Sequence, residues 1–166
     1  MAGQLCLGKT GKMMNQENLF DLIHSIEQLS NEHIVEFTSR YTYPIGVSSV
    51  LVLAELRESG SLRQSDLADM LNYTKGAVTH IATKLVSYEL AERLYDEEDR
   101  RTVYLNITDK GVAALNEAQK IGESIFLDLF EGLSKEELHE YLRLQQKLLD
   151  GMKNRRLSGK NRKNKE

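Results

Sequence analysis

The fold class of this chain is set by residues 64–110, which read QSDLADMLNYTKGAVTHIATKLVSYELAERLYDEEDRRTVYLNITDK. Helical patterns at 64–71 and about 75–89 are separated only by Asn72, Tyr73 and Thr74, the spacing of a helix-turn-helix. The β-branched and aromatic runs 91–95 and 102–107 then flank the polar segment 96–101, which is typical of a hairpin. A helix-turn-helix followed by a two-stranded β-hairpin predicts a winged helix-turn-helix.

Longer helical patterns surround this region on both sides. Apolar residues recur at helical spacing over 15–40, 47–57, 109–131 and 135–152, with Thr108 and Ser134 placed as N-caps. The single Pro, Pro44, lies between two of these patterns, so the chain is predicted to be mainly α with a small β component (α+β). The long outer helices would leave apolar stripes exposed on a monomer, which predicts a homodimer built from both chain ends.

Charge is distributed unevenly along the chain. The net charge is −3, yet residues 153–166 hold seven Lys or Arg and one Glu, whereas residues 1–152 hold 15 basic and 24 acidic residues. The +6 end is predicted to be a basic, disordered tail, either solvated or touching DNA. One Cys and the absence of a long apolar run predict a cytoplasmic chain without a membrane span.

The second helix of the helix-turn-helix has two chemically different faces. Val78, Ile81 and Leu85 are expected to pack against Leu67, Leu71 and the hairpin. Small, hydrogen-bonding or cationic residues occupy the opposite face, as a helix entering a DNA major groove requires. They are Lys75, Gly76, Thr79, His80, Thr83 and Lys84. An ordinary solvated helix face is the open alternative.

The hairpin tip carries Asp99, Arg100 and Arg101. Arginine at the end of a projecting β-ribbon suits a narrow minor groove, where the electrostatic potential of DNA is most negative. A solvated turn is the alternative, and the neighbouring acidic residues 96–98 favour it.

Three segments resemble the MarR (multiple antibiotic resistance regulator) family of winged-helix transcription factors: 65–71 (SDLADML), 76–79 (GAVT) and 99–111 (DRRTVYLNITDKG). The last matches the family pattern D-x-R-x-x-x-(V/L)-x-L-T-x-x-G, with Ile107 in the Leu position. The resemblance implies a homodimer on double-stranded, pseudo-palindromic operator DNA, usually a repressor released by a small-molecule effector or another signal. It implies that the bases are contacted by Lys75, Gly76, Thr79 and His80, and that phosphates are contacted by Thr74 and Lys84. It also implies that Arg101 is the wing arginine, that Asp99 holds it in place, and that Arg100 makes an additional phosphate or groove contact.

The sequence departs from the family pattern at two places, one in the wing and one after the recognition helix. Glu98 stands where many members have another wing Arg, and Glu89 and Leu90 stand where a Gly usually follows the recognition helix. In similar proteins the effector pocket lies between the dimerisation helices and the winged helix. By position its candidates here are Phe37, Tyr41, Tyr43 and Ile45, with core packing an equally open role for each.

Three other features of the sequence do not predict a site. Residues 3–10 match the P-loop pattern G-x4-G-K-[ST], but no strand can precede Gly3, so no nucleotide site, cofactor or enzymatic activity is expected. Cys6 is expected to be an incidental thiol, and the four His residues lack metal-ligand spacing, so no metal is predicted.

The predicted organisation is a flexible arm (1–14), an N-terminal dimerisation helix and loop (15–46), a DNA-binding winged helix (47–110), C-terminal dimerisation helices (111–152) and the basic tail (153–166). A winged-helix protein-interaction module without sequence-specific DNA binding is the alternative function.

Overall fold

The order of helices and strands is the predicted one, with a short strand added. The computed structural model describes residues 16–95 and 102–163. The elements are α1 (Gln16–Arg40), α2 (Val47–Ser59), β1 (Leu62–Arg63), α3 (Gln64–Leu71), α4 (Lys75–Ser87), β2 (Ala91–Tyr95), β3 (Val103–Ile107), α5 (Asp109–Phe130) and α6 (Lys135–Lys163). The chain divides into two compact units, and the boundary lies inside α5, between Ile125 and Phe126.

The sheet of the winged region contains the two strands of the predicted hairpin and a third, short strand. All pairs are antiparallel in the order β1-β3-β2, and Leu105 of β3 lies opposite Leu62 on one side and Arg93 on the other. The predicted two-stranded hairpin is confirmed as β2 and β3. The third strand, β1, was not predicted because it has only two residues, too few for an alternating pattern to reveal it.

The core of the first unit joins the helix-turn-helix to the sheet. Val78, Ile81 and Leu85 of α4 are buried together with Leu67 of α3 and Leu105 of β3. This confirms the predicted inner face of α4. Asn72, in the left-handed conformation with φ 58°, ends α3, and its tolerance of that conformation permits the tight turn into α4.

The predicted end of α4 near residue 89 was slightly late, since the helix ends at Ser87. Glu89 adopts φ 61°, and the Leu90 amide donates to the Leu85 carbonyl at 2.9 Å, which closes the helix in the manner that usually employs Gly. A left-handed Glu is strained relative to Gly. The sequence thus departs from the family pattern in residue type, Glu89 for Gly, while the backbone keeps the left-handed conformation that Gly usually adopts there.

Thr108 caps the N-terminus of α5, as predicted from the sequence. Its hydroxyl accepts the Gly111 amide at 3.1 Å and donates to the Glu89 carbonyl at 2.7 Å, while its own amide donates to the Leu90 carbonyl at 3.2 Å. A Cβ on Gly111 would lie 2.0 Å from the Leu90 oxygen. The T-x-x-G end of the wing pattern therefore locks the start of α5 against the start of β2.

The second unit contains the end of α5 and all of α6. The predicted capping box is confirmed, because the Ser134 amide donates to the Glu137 carboxylate at 2.9 Å and the Glu137 amide donates to the Ser134 hydroxyl oxygen at 3.2 Å. Hydrogen bonds to the Glu137 carboxylate from the Ser134 backbone amide and from the Ser134 side chain lower the pKa of Glu137. The tail prediction was wrong for residues 153–163, since α6 continues to Lys163. Lys and Arg are good helix formers and are favoured at a helix C-terminus.

Candidate nucleic-acid interface

The N-terminus of α4 is capped and left open to solvent. Thr74 is the N-cap residue, and its hydroxyl oxygen accepts the Ala77 amide at 3.2 Å. Lys75 and Gly76 follow in the first turn, and both are exposed. A Cβ built on Gly76 meets nothing within 4 Å, so packing inside the protein does not require Gly at this position. The exposed first turn combines a cation with the positive end of a helix dipole, a combination that attracts phosphate.

Thr79 connects the two helices of the helix-turn-helix. Its hydroxyl lies 2.9 Å from the Lys75 carbonyl and 3.1 Å from Oε1 of Gln64, the first residue of α3. Gln64 was not predicted as part of the site, because the sequence does not reveal which α3 side chain meets α4. The structure brings it to the predicted face, where its amide orients one of the candidate base contacts.

The remaining predicted residues of α4 follow the same side of the helix. His80 is exposed and Lys84 is half-buried. The Thr83 hydroxyl donates its single proton to the Thr79 carbonyl at 2.9 Å. Towards solvent its oxygen can therefore only accept hydrogen bonds. The structure thus brings six predicted contacts together on α4 and its N-cap: Thr74, Lys75, Gly76, Thr79, His80 and Lys84.

Two arginines of the sheet were not predicted as part of the site, and one of them, Arg93, contacts α4. The Arg93 guanidinium of β2 lies 3.4 Å from the Thr83 hydroxyl oxygen (Nη2 to Oγ1). Arg63 of β1 lies over the Tyr104 ring, 5.5 Å from its centroid, and donates to the Tyr104 hydroxyl at 3.3 Å. The alternation Ala91, Arg93, Tyr95 could have indicated that Arg93 shares a face with buried Ala91. The packing of α4 against β2 was needed to place Thr83 beside it.

The wing is described up to its last strand pair. Tyr95 of β2 lies opposite Val103 of β3, and the two strands are antiparallel. The predicted contacts Asp99, Arg100 and Arg101 fall between these strands and lie outside the described residues.

The four candidate effector residues form one cluster beside the core of the first unit. Tyr41 and Ile45 are buried, whereas Phe37 and Tyr43 are half-buried. The Tyr41 ring centroid lies 4.9 Å from that of Phe37 and 5.6 Å from that of Tyr43.

Tyr41 is held by polar contacts as well as by packing. Its hydroxyl donates to the Ala114 carbonyl at 3.1 Å, and burial, reinforced by the Glu117 carboxylate and by Tyr43, raises its pKa to about 12. Glu117 also accepts the Thr42 amide and hydroxyl, each at 2.8 Å. These bonds tie the end of α1 to α5. Tyr41 and Ile45 therefore serve the core, and Phe37 and Tyr43 carry the accessible surface of the cluster.

Two kinds of site are absent from residues 16–95 and 102–163. Within them, no three His, Cys, Asp or Glu side chains converge as metal ligands would. No helix in the same ranges is long and apolar enough to cross a membrane.

The helix-turn-helix, the three-stranded sheet and the exposed face of α4 define a winged helix-turn-helix protein of the DNA-binding class. The MarR family model matches residues 46–103. The chain is 30% identical to the transcriptional repressor MdtR of Bacillus subtilis over 101 residues. These residues make up 61% of this chain and 65% of MdtR, so the match spans slightly less than two thirds of MdtR. It is 27% identical to the multiple antibiotic resistance protein MarR of Escherichia coli, over 73% of this chain and 85% of the relative.

Solved structures agree with these sequence matches. The YusO protein from Bacillus subtilis superposes with a TM-score of 0.67 and 26% identity, over 82% of this chain and 99% of that one. A mutant MarR from Escherichia coli, solved with operator DNA, has the same fold, with a TM-score of 0.67 and 22% identity over 80% and 96% of the two chains. The winged-helix region of this chain, residues 46–103, is that of the MarR family of winged-helix transcriptional regulators.

Proposed function

We propose that this protein is a homodimeric, sequence-specific repressor that binds pseudo-palindromic operator DNA in the cytoplasm and is released by a small-molecule effector. Each subunit inserts α4 into a major groove and its wing into the neighbouring minor groove. Lys75, Gly76, Thr79 and His80 face the bases, Thr74 and Lys84 bind phosphates, and Arg101, held by Asp99 and flanked by Arg100, enters the minor groove.

The observation that carries this proposal is the open first turn of α4. Gly76 is exposed, lies in a helix and has no neighbour within 4 Å of a built Cβ. Gly in a helix costs about 0.5–1 kcal/mol relative to Ala, and here no contact within the protein compensates for that cost. Gly76 lies in the first turn of α4, directly after Lys75 and the N-cap Thr74. Close approach of a DNA backbone or base edge to this exposed, positively polarised turn supplies a reason for Gly at this position.

The apolar surface of α1 and α6 supports the homodimer. Phe20, Ile26 and Ile34 of α1 have exposed fractions of 63%, 56% and 52%, and Leu148 of α6 has 66%. Apolar side chains repeated along helices at this exposure are typical of an interface. A two-fold dimer covers them and presents two copies of α4 to half-sites about one helical turn apart.

The aromatic cluster supports an effector site. Half-buried Phe37 and Tyr43 adjoin the buried Tyr41, and the Thr42–Glu117 hydrogen bonds connect the same loop to α5. A small apolar or aromatic molecule packed on Phe37 and Tyr43 would act on the joint between α1 and α5. Movement of this joint in a dimer would change the spacing of the two α4 helices.

Gly76→Ala tests the DNA-binding role, with Gly122→Ala as the matched control. Gly122 lies inside α5 and its built Cβ also meets nothing within 4 Å, so each substitution should leave the free energy of unfolding unchanged or raise it by up to about 1 kcal/mol. On a duplex selected by the wild-type protein, only Gly76→Ala should weaken binding, by about tenfold or more in a fluorescence anisotropy titration. Equal affinities of both variants and the wild type would contradict the proposal.

A further inference from the structure

Arg93 lies at the junction between the recognition helix and the wing. It belongs to β2, and its guanidinium reaches the Thr83 hydroxyl oxygen on α4 at 3.4 Å. Because successive strand residues alternate between faces, Arg93 shares the face of Ala91, which is buried against the core, but Arg93 itself is exposed. The side chain therefore spans the sheet and the helix edge while its charge stays accessible to solvent.

The hydrogen bonds around Thr83 fix the direction of this contact. Thr83 donates its only proton to the Thr79 carbonyl at 2.9 Å, so its oxygen can only accept from Arg93. A guanidinium has five N–H donors, and one bond to Thr83 leaves the others available. The neighbouring carboxylate of Glu92 lies on the opposite face of the strand, where it accepts the Asn106 side-chain amide at 3.0 Å.

The geometry of DNA indicates what this guanidinium would meet. A major groove and the adjacent minor groove are separated by one sugar-phosphate strand. A protein that places a helix in one groove and a β-ribbon in the other straddles that strand, so a side chain between helix and ribbon faces phosphates rather than base edges. Arg93 occupies this position. We propose that Arg93 binds a backbone phosphate of the strand between the two grooves and sets the spacing of α4 and the wing on the duplex.

This inference rests on the proposed function, since it needs a protein that binds duplex DNA through α4 and the wing. It adds a phosphate contact outside the set that the family resemblance implies. Guanidinium suits the role because its planar donors match two phosphate oxygens at once, whereas an ammonium group acts as a point charge.

The test compares Arg93→Ala with Arg93→Lys, Thr83→Val and the control Arg57→Ala. Arg57 is an exposed arginine of α2 that donates to the Asn116 side chain at 3.0 Å. Dissociation constants are measured by fluorescence anisotropy from 50 to 300 mM salt, on a selected duplex and on a scrambled duplex of equal length. Circular dichroism melting identifies variants that lose the fold.

The expected result is a loss of about tenfold or more for Arg93→Ala on both duplexes. The slope of log affinity against log salt is negative, and each lost phosphate contact reduces its magnitude by about 0.9. A dimer that loses one contact per subunit should therefore show a slope smaller in magnitude by about 1.8. Arg93→Lys should retain the slope with a smaller loss of affinity, and Arg57→Ala should match the wild type. If Arg93 only held α4 against β2 through Thr83, Thr83→Val would reproduce the loss of DNA affinity caused by Arg93→Ala. The slope of log affinity against log salt would then stay unchanged in both variants.

Three outcomes would overturn the inference. They are an unchanged slope for Arg93→Ala, a loss confined to the selected duplex, which would indicate a base contact, and a loss reproduced in full by Thr83→Val. Failure of the proposed function has a different signature, because the wild-type protein would then enrich no duplex over the scrambled one.

Discussion

Replacement of Gly111 by Ala should destabilise the protein strongly without touching the DNA-binding face. A Cβ at this position would lie 2.0 Å from the Leu90 carbonyl oxygen, 3.0 Å from the Leu90 carbonyl carbon and 2.8 Å from Cγ1 of Ile107. Two of these three atoms belong to the backbone. No side-chain rotation can relieve the overlap with them, so the start of α5 must move away from the start of β2.

The cost follows from what that movement breaks. The Leu90 carbonyl accepts the Thr108 amide at 3.2 Å, and the Thr108 hydroxyl bridges the Glu89 carbonyl to the Gly111 amide. Overpacking costs about 1–3 kcal/mol, and a buried carbonyl without its partner about 1–3 kcal/mol more. The better helix propensity of Ala returns at most about 1 kcal/mol. The expected net loss is about 3 kcal/mol.

Equilibrium unfolding in urea measures this loss, at one protein concentration because a dimer's stability depends on it. Gly122→Ala is the control, since it has the same chemistry and open space around its Cβ. For a chain of 166 residues the expected loss corresponds to a melting temperature lowered by roughly 6–12 °C. An unfolding free energy of Gly111→Ala within about 0.5 kcal/mol of the control, the usual range for benign surface substitutions, would refute the reasoning.

Three further predictions concern the turn after α4, the aromatic cluster and the chain end. Glu89→Gly should raise the unfolding free energy by about 1 kcal/mol by relieving φ 61°, while Glu89→Ala, which keeps the strain, should not; equal denaturant midpoints would contradict this. Wild-type stability should fall from pH 10 towards about 12, because the unfolded chain releases the Tyr41 proton near pKa 10.0 and the folded chain retains it to about 12. Tyr41→Phe should lack that fall in urea unfolding at pH 9 to 11.5, and an identical fall would exclude Tyr41 as its cause. Deletion of residues 153–166 should flatten the salt dependence of DNA binding if their seven cations touch phosphates, and an identical slope would indicate a solvated end.

The helices and the main hairpin could be predicted because their signals are local. Helical periodicity, the break at Pro44 and the caps Thr108 and Ser134 each depend on residues within a few positions of one another. The strand β1 could not be predicted, since its two residues are extended only by pairing with β3, more than 40 positions away. The basic end was predicted as disordered from its charge, although Lys and Arg also propagate a helix.

Some residues of the candidate site could likewise be predicted from local patterns, whereas others could not. The α4 face followed from the helical period, which placed Gly76 and Thr79 together on one side. Gln64 beside Thr79 and Arg93 beside Thr83 depend on how separate elements pack and in which register, and the sequence does not encode that in any local pattern. Glu89 illustrates the remaining gap. The absence of Gly suggested a changed helix end, yet the backbone keeps the left-handed conformation with Glu in its place.

Selection of preferred duplexes by the wild-type protein from a random DNA pool tests the central claim most directly. A two-fold dimer that inserts two α4 helices predicts enrichment of an inverted repeat whose half-site centres lie about 10 base pairs apart, one turn of the double helix. Recovery of no common sequence after successive rounds would contradict sequence-specific operator binding. That result would favour a winged helix that binds another protein.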